Sequence, residues 1–240
     1  MDDKDSTVLT ILKDGEITIT GEFVWGSNYT YAVEVTQAKH TLPGVYKPTQ
    51  GERPLWDFPR ASLAQREVAA YLVSEALGWG FVPPTVYRED GPIGPGSLQL
   101  YVKHDPEYNY FTFSKVDLNR LRPVAVFDIL INNADRKGSH VLIDEDHIWL
   151  IDHGISFHRE DKLRTVIWDF AGESIPDDIC ENLNIFAAQL NPGSDFARKL
   201  EHHLNQQEII ALATRTRDLL VSVHLPNPHP NRRPYPWPPV

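Results

Sequence analysis

The sequence predicts an α+β chain, β-rich at its start and mostly helical beyond. Three observations carry this. Short apolar runs broken by Gly, Pro and Asp-Gly fill the first hundred residues, around one strong helical pattern. Past residue 112, apolar residues recur at helical spacing in several segments. A single hairpin pattern, residues 142–151, interrupts that helical part. The alternation 97–103 stops at His104-Asp105-Pro106, so a lobe boundary is expected near 103–112. This divides the chain into 1–103, 104–224 and a Pro-rich tail, 225–240.

With 240 residues, 41% of them hydrophobic, the chain can bury a sizeable core, as one domain or two small lobes. No apolar run approaches the roughly 20 residues that span a bilayer. The acidic start, MDDKDST, does not read as a signal peptide. One cysteine excludes an internal disulfide and a multi-cysteine zinc site, and a cytoplasmic setting fits best. A net charge of −10 argues against nucleic acid or an anionic membrane as the main partner. The ten histidines are scattered, with no H-E-x-x-H spacing.

Taken in order, residues 8–12 and 17–24 are predicted as strands around the turn Lys13-Asp14-Gly15-Glu16. The Gly-containing turn Trp25-Gly26-Ser27-Asn28 leads into a strand at 29–35. Such a turn can cover phosphates with its N–H groups, though most such turns are only turns. Lys47 ends the apolar strand 44–48. It is either exposed there or matched by a carboxylate or phosphate. Residues 49–60 are expected as an ordered loop burying Leu55, Trp56 and Phe58. The spacing predicts a helix over 63–77, with a capping box from Ser62 and Gln65 and a stop at Gly78. Glu67, in its second turn, is either a solvated face residue or the partner of Lys47.

Residues 82–87 read as an edge strand entered through prolines, and 97–103 as another strand. A helix is predicted over 117–133, kinked or started by Pro123. The hairpin 142–151 then brings the loop carrying Asp135 close to Asp152. Two carboxylates beside a histidine and a Lys-Gly loop suit a hard cation with its phosphates; polar hairpin ends are the plainer alternative. Helices follow over 177–190, 195–204 and 206–220. The tail is a docked extended arm that buries Tyr235 and Trp237, or it is disordered.

That order of elements resembles the protein-kinase-like superfamily. The wording is most similar to its phosphatidylinositol 3-/4-kinase and HipA-like branch, as a short bacterial-type member. The likeness lies in Gly44-Val45-Tyr46-Lys47-Pro48, in Leu77-Gly78 followed by Val82-Pro83-Pro84-Thr85, and in Gly96-Ser97-Leu98-Gln99. Asn133-Ala134-Asp135-Arg136 and Ile151-Asp152-His153-Gly154 complete it. It covers residues 17–160 and implies a bilobal protein-kinase-like fold, with a β-rich N-lobe and a mostly helical C-lobe.

The resemblance implies ATP as phosphate donor with Mg2+ or Mn2+, and an unidentified protein or small-molecule hydroxyl as acceptor. It makes Lys47 the phosphate contact and Glu67 its partner. It places Gly26, Ser27 and Asn28 over the phosphates. Leu100, Tyr101 and Val102 would flank the adenine. Asp135 becomes the base, Arg136 the residue that steadies its loop, and Asp152 a metal ligand. Five residues after Asp135 the family has Asn, whereas this chain has His140. Imidazole is a poor ligand for magnesium and a better one for manganese. His140 is therefore a second metal ligand with an altered metal preference, or a loop histidine bonded to backbone. Two further readings stay open: a nucleotide-binding pseudokinase scaffold, and transfer of AMP on the same fold. Weak membrane signals favour a protein or soluble acceptor over a lipid headgroup.

Overall fold

The computed structural model describes residues 3–23, 28–144 and 147–240. The N-terminal lobe holds an antiparallel sheet of β1 (Glu16–Glu22), β2 (Tyr31–Gln37), β3 (His40–Pro48), β4 (Thr85–Arg88) and β5 (Gly96–Leu100), in the order β1-β2-β3-β5-β4. Two helices accompany it, α1 (Asp3–Asp14) and α2 (Leu63–Ala76). Strand β3 is central, so Lys47 sits opposite Ser97 of β5. Strand β4 takes an edge, where the two prolines before it cost no ladder bond.

Residues 8–12 are helical, not the strand their β-branched composition predicts. Tertiary contact overrides propensity here. Ile11 and Leu12 are buried with Val33, Val35, Tyr46 and Leu98, and Val8 lies against the same cluster. These positions share one helical face. Arg88 Nη1 donates to the carbonyls of Leu12 and Gly15, each at 2.9 Å, and so satisfies orphan acceptors at the end of α1.

Helix α2 starts without the expected capping box. Ser62 has helical dihedrals, and its hydroxyl donates to Pro59 O at 2.7 Å. The free N-terminal amide of Ala64 instead reaches Glu52 Oε1 at 2.9 Å. Gly78, at φ +71°, ends the helix as predicted. In the preceding loop Phe58 is buried, whereas Trp56 is 90% exposed, contrary to expectation. Its ring carries Lys162 Nζ 5.1 Å from the centroid, a contact with an ammonium and not with a core.

The C-terminal lobe contains α3 (Lys115–Asn119), α4 (Arg122–Ile131), the hairpin β6 (Val141–Asp144) and β7 (His147–Leu150), α5 (Asp177–Gln189), α6 (Asp195–Glu201) and α7 (Gln206–Ser222). The predicted helix 117–133 is two helices. Ser114 caps the first, and Pro123 lies in the first turn of the second, where a missing N–H costs nothing. Asn132 takes a left-handed conformation (φ 52°) that ends α4 and turns the chain into the Asp135 loop.

The main core joins Phe127, Leu130 and Ile131 of α4 to Leu183, Phe186 and Leu212, and it takes in Ala69, Ala70 and Val73 of α2 and Leu77 at its C-terminal cap. Helix α2 is thus built into the helical lobe's core as well as flanking the sheet. Among the described residues, no helix is long and apolar enough to cross a membrane.

The tail is docked, but not through its aromatic side chains. Tyr235 is 48% and Trp237 74% exposed. A chain of prolines has few donors, so its carbonyls make the contacts. Pro234 O accepts from Thr165 N at 3.0 Å and Trp168 Nε1 at 3.2 Å, and Pro239 O accepts from Gly138 N at 2.8 Å.

Candidate active site

The hairpin β6–β7 places Asp135 before its first strand and Asp152 after its second. The central strand β3 and helix α2 bring up Lys47 and Glu67 from the other lobe. Lys47 Nζ lies 2.5 Å from Glu67 Oε1 and 3.0 Å from Asp152 Oδ1. The Glu67 side chain is 4% exposed and that of Asp152 51%. Burial disfavours the Lys47 ammonium, but the two carboxylates outweigh it and raise its pKa. Burial likewise opposes ionisation of Glu67, and the Lys47 charge overturns it, so that carboxyl is held below its usual range. The Lys47 charge also lowers Asp152. All three groups are therefore ionised at neutral pH.

Asp152 has φ +60°, which is uncommon for a residue with a side chain and tolerated best by Asp and Asn. The bend is enforced on both sides. Ile151 N donates to His140 O at 3.1 Å, and His153 N donates to Glu67 Oε2 at 2.8 Å. Glu67 thus serves both the lysine and the backbone after Asp152.

Asp135 is part-buried. Its amide donates to Asn133 Oδ1 at 2.9 Å, and its carboxylate lies 3.4 Å from Lys137 Nζ. Burial pushes its pKa up to about 6; the Asp152 charge adds to this, while Lys137 and Arg164 oppose it.

Beneath this loop lies a network that sequence reasoning only partly found. Arg136 is fully buried. It donates to Asp128 at 2.9 Å, to Ile151 O at 2.9 Å, to His140 O at 3.2 Å and to His153 Nε2 at 2.9 Å. It therefore fixes both ends of the hairpin. Asp128 also accepts from Thr165 Oγ1 at 3.0 Å and Asn133 Nδ2 at 3.3 Å. An aspartate within the apolar stretch Val126-Phe127-Asp128-Ile129-Leu130 was the available signal, since a buried carboxylate needs a cation. Arg136 donates to His153 Nε2, so the neutral ring carries its proton on Nδ1. Burial keeps that ring below its ordinary pKa.

His140 is buried, with Nε2 3.4 Å from Asp152 Oδ2 and Nδ1 without a hydrogen-bond partner among the described residues. Burial lowers its pKa to about 4, against the pull of Asp152. It is a neutral imidazole at pH 7, with Nε2 turned towards the carboxylate.

The remaining predicted residues are placed as follows. Leu100 N donates to Pro84 O at 2.9 Å and Tyr101 N to Pro43 O at 3.0 Å, whereas Val102 O accepts from His104 Nδ1 at 3.0 Å. Asn28 Oδ1 accepts from Arg53 N at 2.8 Å, which ties its turn to the loop after β3. Gly26 and Ser27 lie outside the described residues.

No family model matches the chain. Protein Rv2133c of Mycobacterium tuberculosis is 41% identical over 264 aligned positions, which cover 95% of this chain and 94% of that protein. Phosphatidylinositol 4-kinase gamma 4 of rice (Oryza sativa subsp. japonica) is 30% identical over 154 positions, 56% of this chain and 27% of the kinase. Two solved structures align over almost the whole chain. A hydra Fam20 structure determined with sugar gives TM-score 0.59 at 16% identity and covers 93% of this chain and 90% of its own. The Golgi casein kinase with Mn/ADP bound gives 0.59 at 15% identity and covers 97% and 81%. A sheet lobe against a helical lobe, joined at a Lys–Glu–Asp cluster, together with these likenesses, establishes a bilobal protein-kinase-like fold, and the chain belongs to the family of M. tuberculosis Protein Rv2133c.

Proposed function

We propose that this protein is an ATP-dependent phosphotransferase that moves the terminal phosphoryl group of ATP to a hydroxyl of a protein or small molecule. The observation that carries this reading is Lys47 held between Glu67 and Asp152 from two lobes, with Asp135 on the same loop system. Phosphoryl transfer asks for positioning and charge neutralisation more than for covalent chemistry. The cluster supplies both. Lys47, pinned by Glu67, offers a fixed ammonium to phosphate oxygens. Asp135 accepts the acceptor's proton as its oxygen bonds to phosphorus and the bond to ADP breaks. With a pKa near 6 it is ionised at neutral pH and close enough to it to serve as a base. The Arg136 network keeps Asp135 and Asp152 in register. Of the three hinge amides, only that of Val102 has no acceptor among the described residues, which leaves it to meet the adenine.

The donor set fits a divalent cation. Asp152 is half-exposed and ionised, and His140 presents a neutral nitrogen beside it. Among the described residues no three His, Cys, Asp or Glu side chains converge as a metal cage, so phosphate and water oxygens would complete the shell. Such an ion neutralises phosphate charge when bound. A nitrogen donor favours manganese over magnesium relative to an all-oxygen set. The Golgi casein kinase structure carries Mn and ADP, which supports the same ligands here.

The test is a thermal-shift titration with ATP and ADP, each with magnesium, manganese or no metal. Binding to the folded state at a hundredfold excess over Kd raises stability by about 2.7 kcal/mol. A metal-dependent rise that Asp152→Asn removes supports the reading. No shift from any nucleotide overturns it.

A further inference from the structure

A large open cavity lies away from the cleft over Lys47. It is an open groove of about 1890 Å³ between α7, the segment 159–164 and the docked tail. It is wider than the few hundred to 1,000 Å³ typical of a small-molecule cleft, so it has room for an extended ligand. Its lining is strongly basic in a chain whose net charge is −10.

The charges there are not balanced. Lys162 and Arg232 are neutralised, by Asp57 at 3.2 Å and Asp161 at 2.8 Å. Four arginines have no ion pair among the described residues. Arg159 donates to the neutral amide of Gln207 at 2.5 Å. Arg233 stands over the Trp237 ring at 5.3 Å. Arg215 donates to the carbonyls of Leu130 and His158, and its Nη2 is buried without a hydrogen-bond partner among the described residues. The exposed Arg164 side chain makes no hydrogen bond or ion pair among the described residues, and its charge reaches the Asp135 carboxyl. Against these four, the lining offers Glu160, 3.8 Å from the Lys162 that it shares with Asp57, and Asp218, which has no ion pair among the described residues. Guanidinium forks gathered on neutral partners are a recognition surface for oxyanions.

The groove also adjoins the loop that carries Asp135. Arg164 N donates to Asn133 O at 2.9 Å and Arg136 N to Arg164 O at 3.0 Å, so one wall of the groove is hydrogen-bonded along the Asp135 loop. We propose that this groove binds the acceptor, and that the acceptor carries an oxyanion, a phosphate ester or a carboxylate, held by Arg159, Arg164 and Arg233 while its hydroxyl reaches Asp135. This rests on the phosphotransferase reading and names the acceptor's chemistry within it.

The experiment saturates the protein with ADP and manganese, then titrates inorganic phosphate or, separately, succinate, and follows melting temperature. A saturable rise with either anion is expected. The exposed pair Arg159→Gln/Arg164→Gln should weaken it tenfold or more while the ADP response is kept. Phosphate acting alone identifies a phosphorylated acceptor, and succinate acting as well identifies a carboxylate. No saturable rise, or an equal rise in the double variant, overturns the proposal. If ADP itself gives no shift, the phosphotransferase reading falls. The anion titration of the free protein then still decides whether the groove binds oxyanions.

Discussion

At the scale of single residues, the site holds its groups in states they would not adopt alone. Asp135 is the clearest case. Its folded pKa lies above the ordinary carboxylate value, so the ionised form opposes folding. That penalty is absent below the ordinary pKa, grows as pH rises towards about 6, and is constant above. With a side chain 28% exposed, the full penalty is on the order of 2 kcal/mol. Asp135→Asn should therefore raise the melting temperature at pH 7.5, by less at pH 4.5, while it abolishes transfer. A variant that melts lower at pH 7.5 would contradict the assignment. The same reasoning makes phosphotransfer rise with pH through about 6. Asp152 carries a different burden, a left-handed backbone, imposed by amide bonds on either side of it.

At the scale of elements, buried charge and docked carbonyls join parts distant in sequence. Arg66 of α2 is 1% exposed; it pairs with Glu208 of α7 and donates to Ser156 O at 2.6 Å. Glu208 also closes the capping box with Asn205 that starts α7. Glu208→Ala leaves a buried guanidinium unmatched and uncaps the helix. It should destabilise by about 3–5 kcal/mol, read by denaturant melts. A loss below about 1 kcal/mol would mean that water replaces the carboxylate. The tail works through backbone instead. Deleting residues 226–240 frees the amides of Gly138 and Thr165, so their hydrogen exchange should rise tenfold or more, with the amides of α5 unchanged. Unaltered exchange would show that the loop holds itself.

At the scale of the molecule, the described residues form two cores, and α2, which flanks the sheet, is built into the core of the helical lobe. Its residues are buried with α4, α5 and α7, and the Lys47–Glu67–Asp152 cluster adds a polar tie between the lobes. Thermal unfolding should therefore be one cooperative transition by calorimetry; two resolved transitions would show independent lobes. Much of this was legible beforehand. The hairpin predicted over 142–151, the stop at Gly78 and the helix predicted over 206–220 follow from local spacing and turn chemistry, which act over a few residues, whereas the series Lys47, Glu67, Asp135, Asp152 followed from the resemblance to the protein-kinase-like superfamily. Other features were not legible. Residues 8–12 are helical because a sheet face and Arg88 receive them, and Trp56 stays exposed because Lys162 meets it there. His140 faces Asp152, and Arg136 finds Asp128, only once the hairpin closes. The sequence by itself determined the fold class, most of the run of elements and the residue types available for phosphate chemistry. The tertiary structure alone decided which charges meet, which are buried, and which arginines remain without an anion, because burial and Coulomb energy depend on neighbours in space and not along the chain.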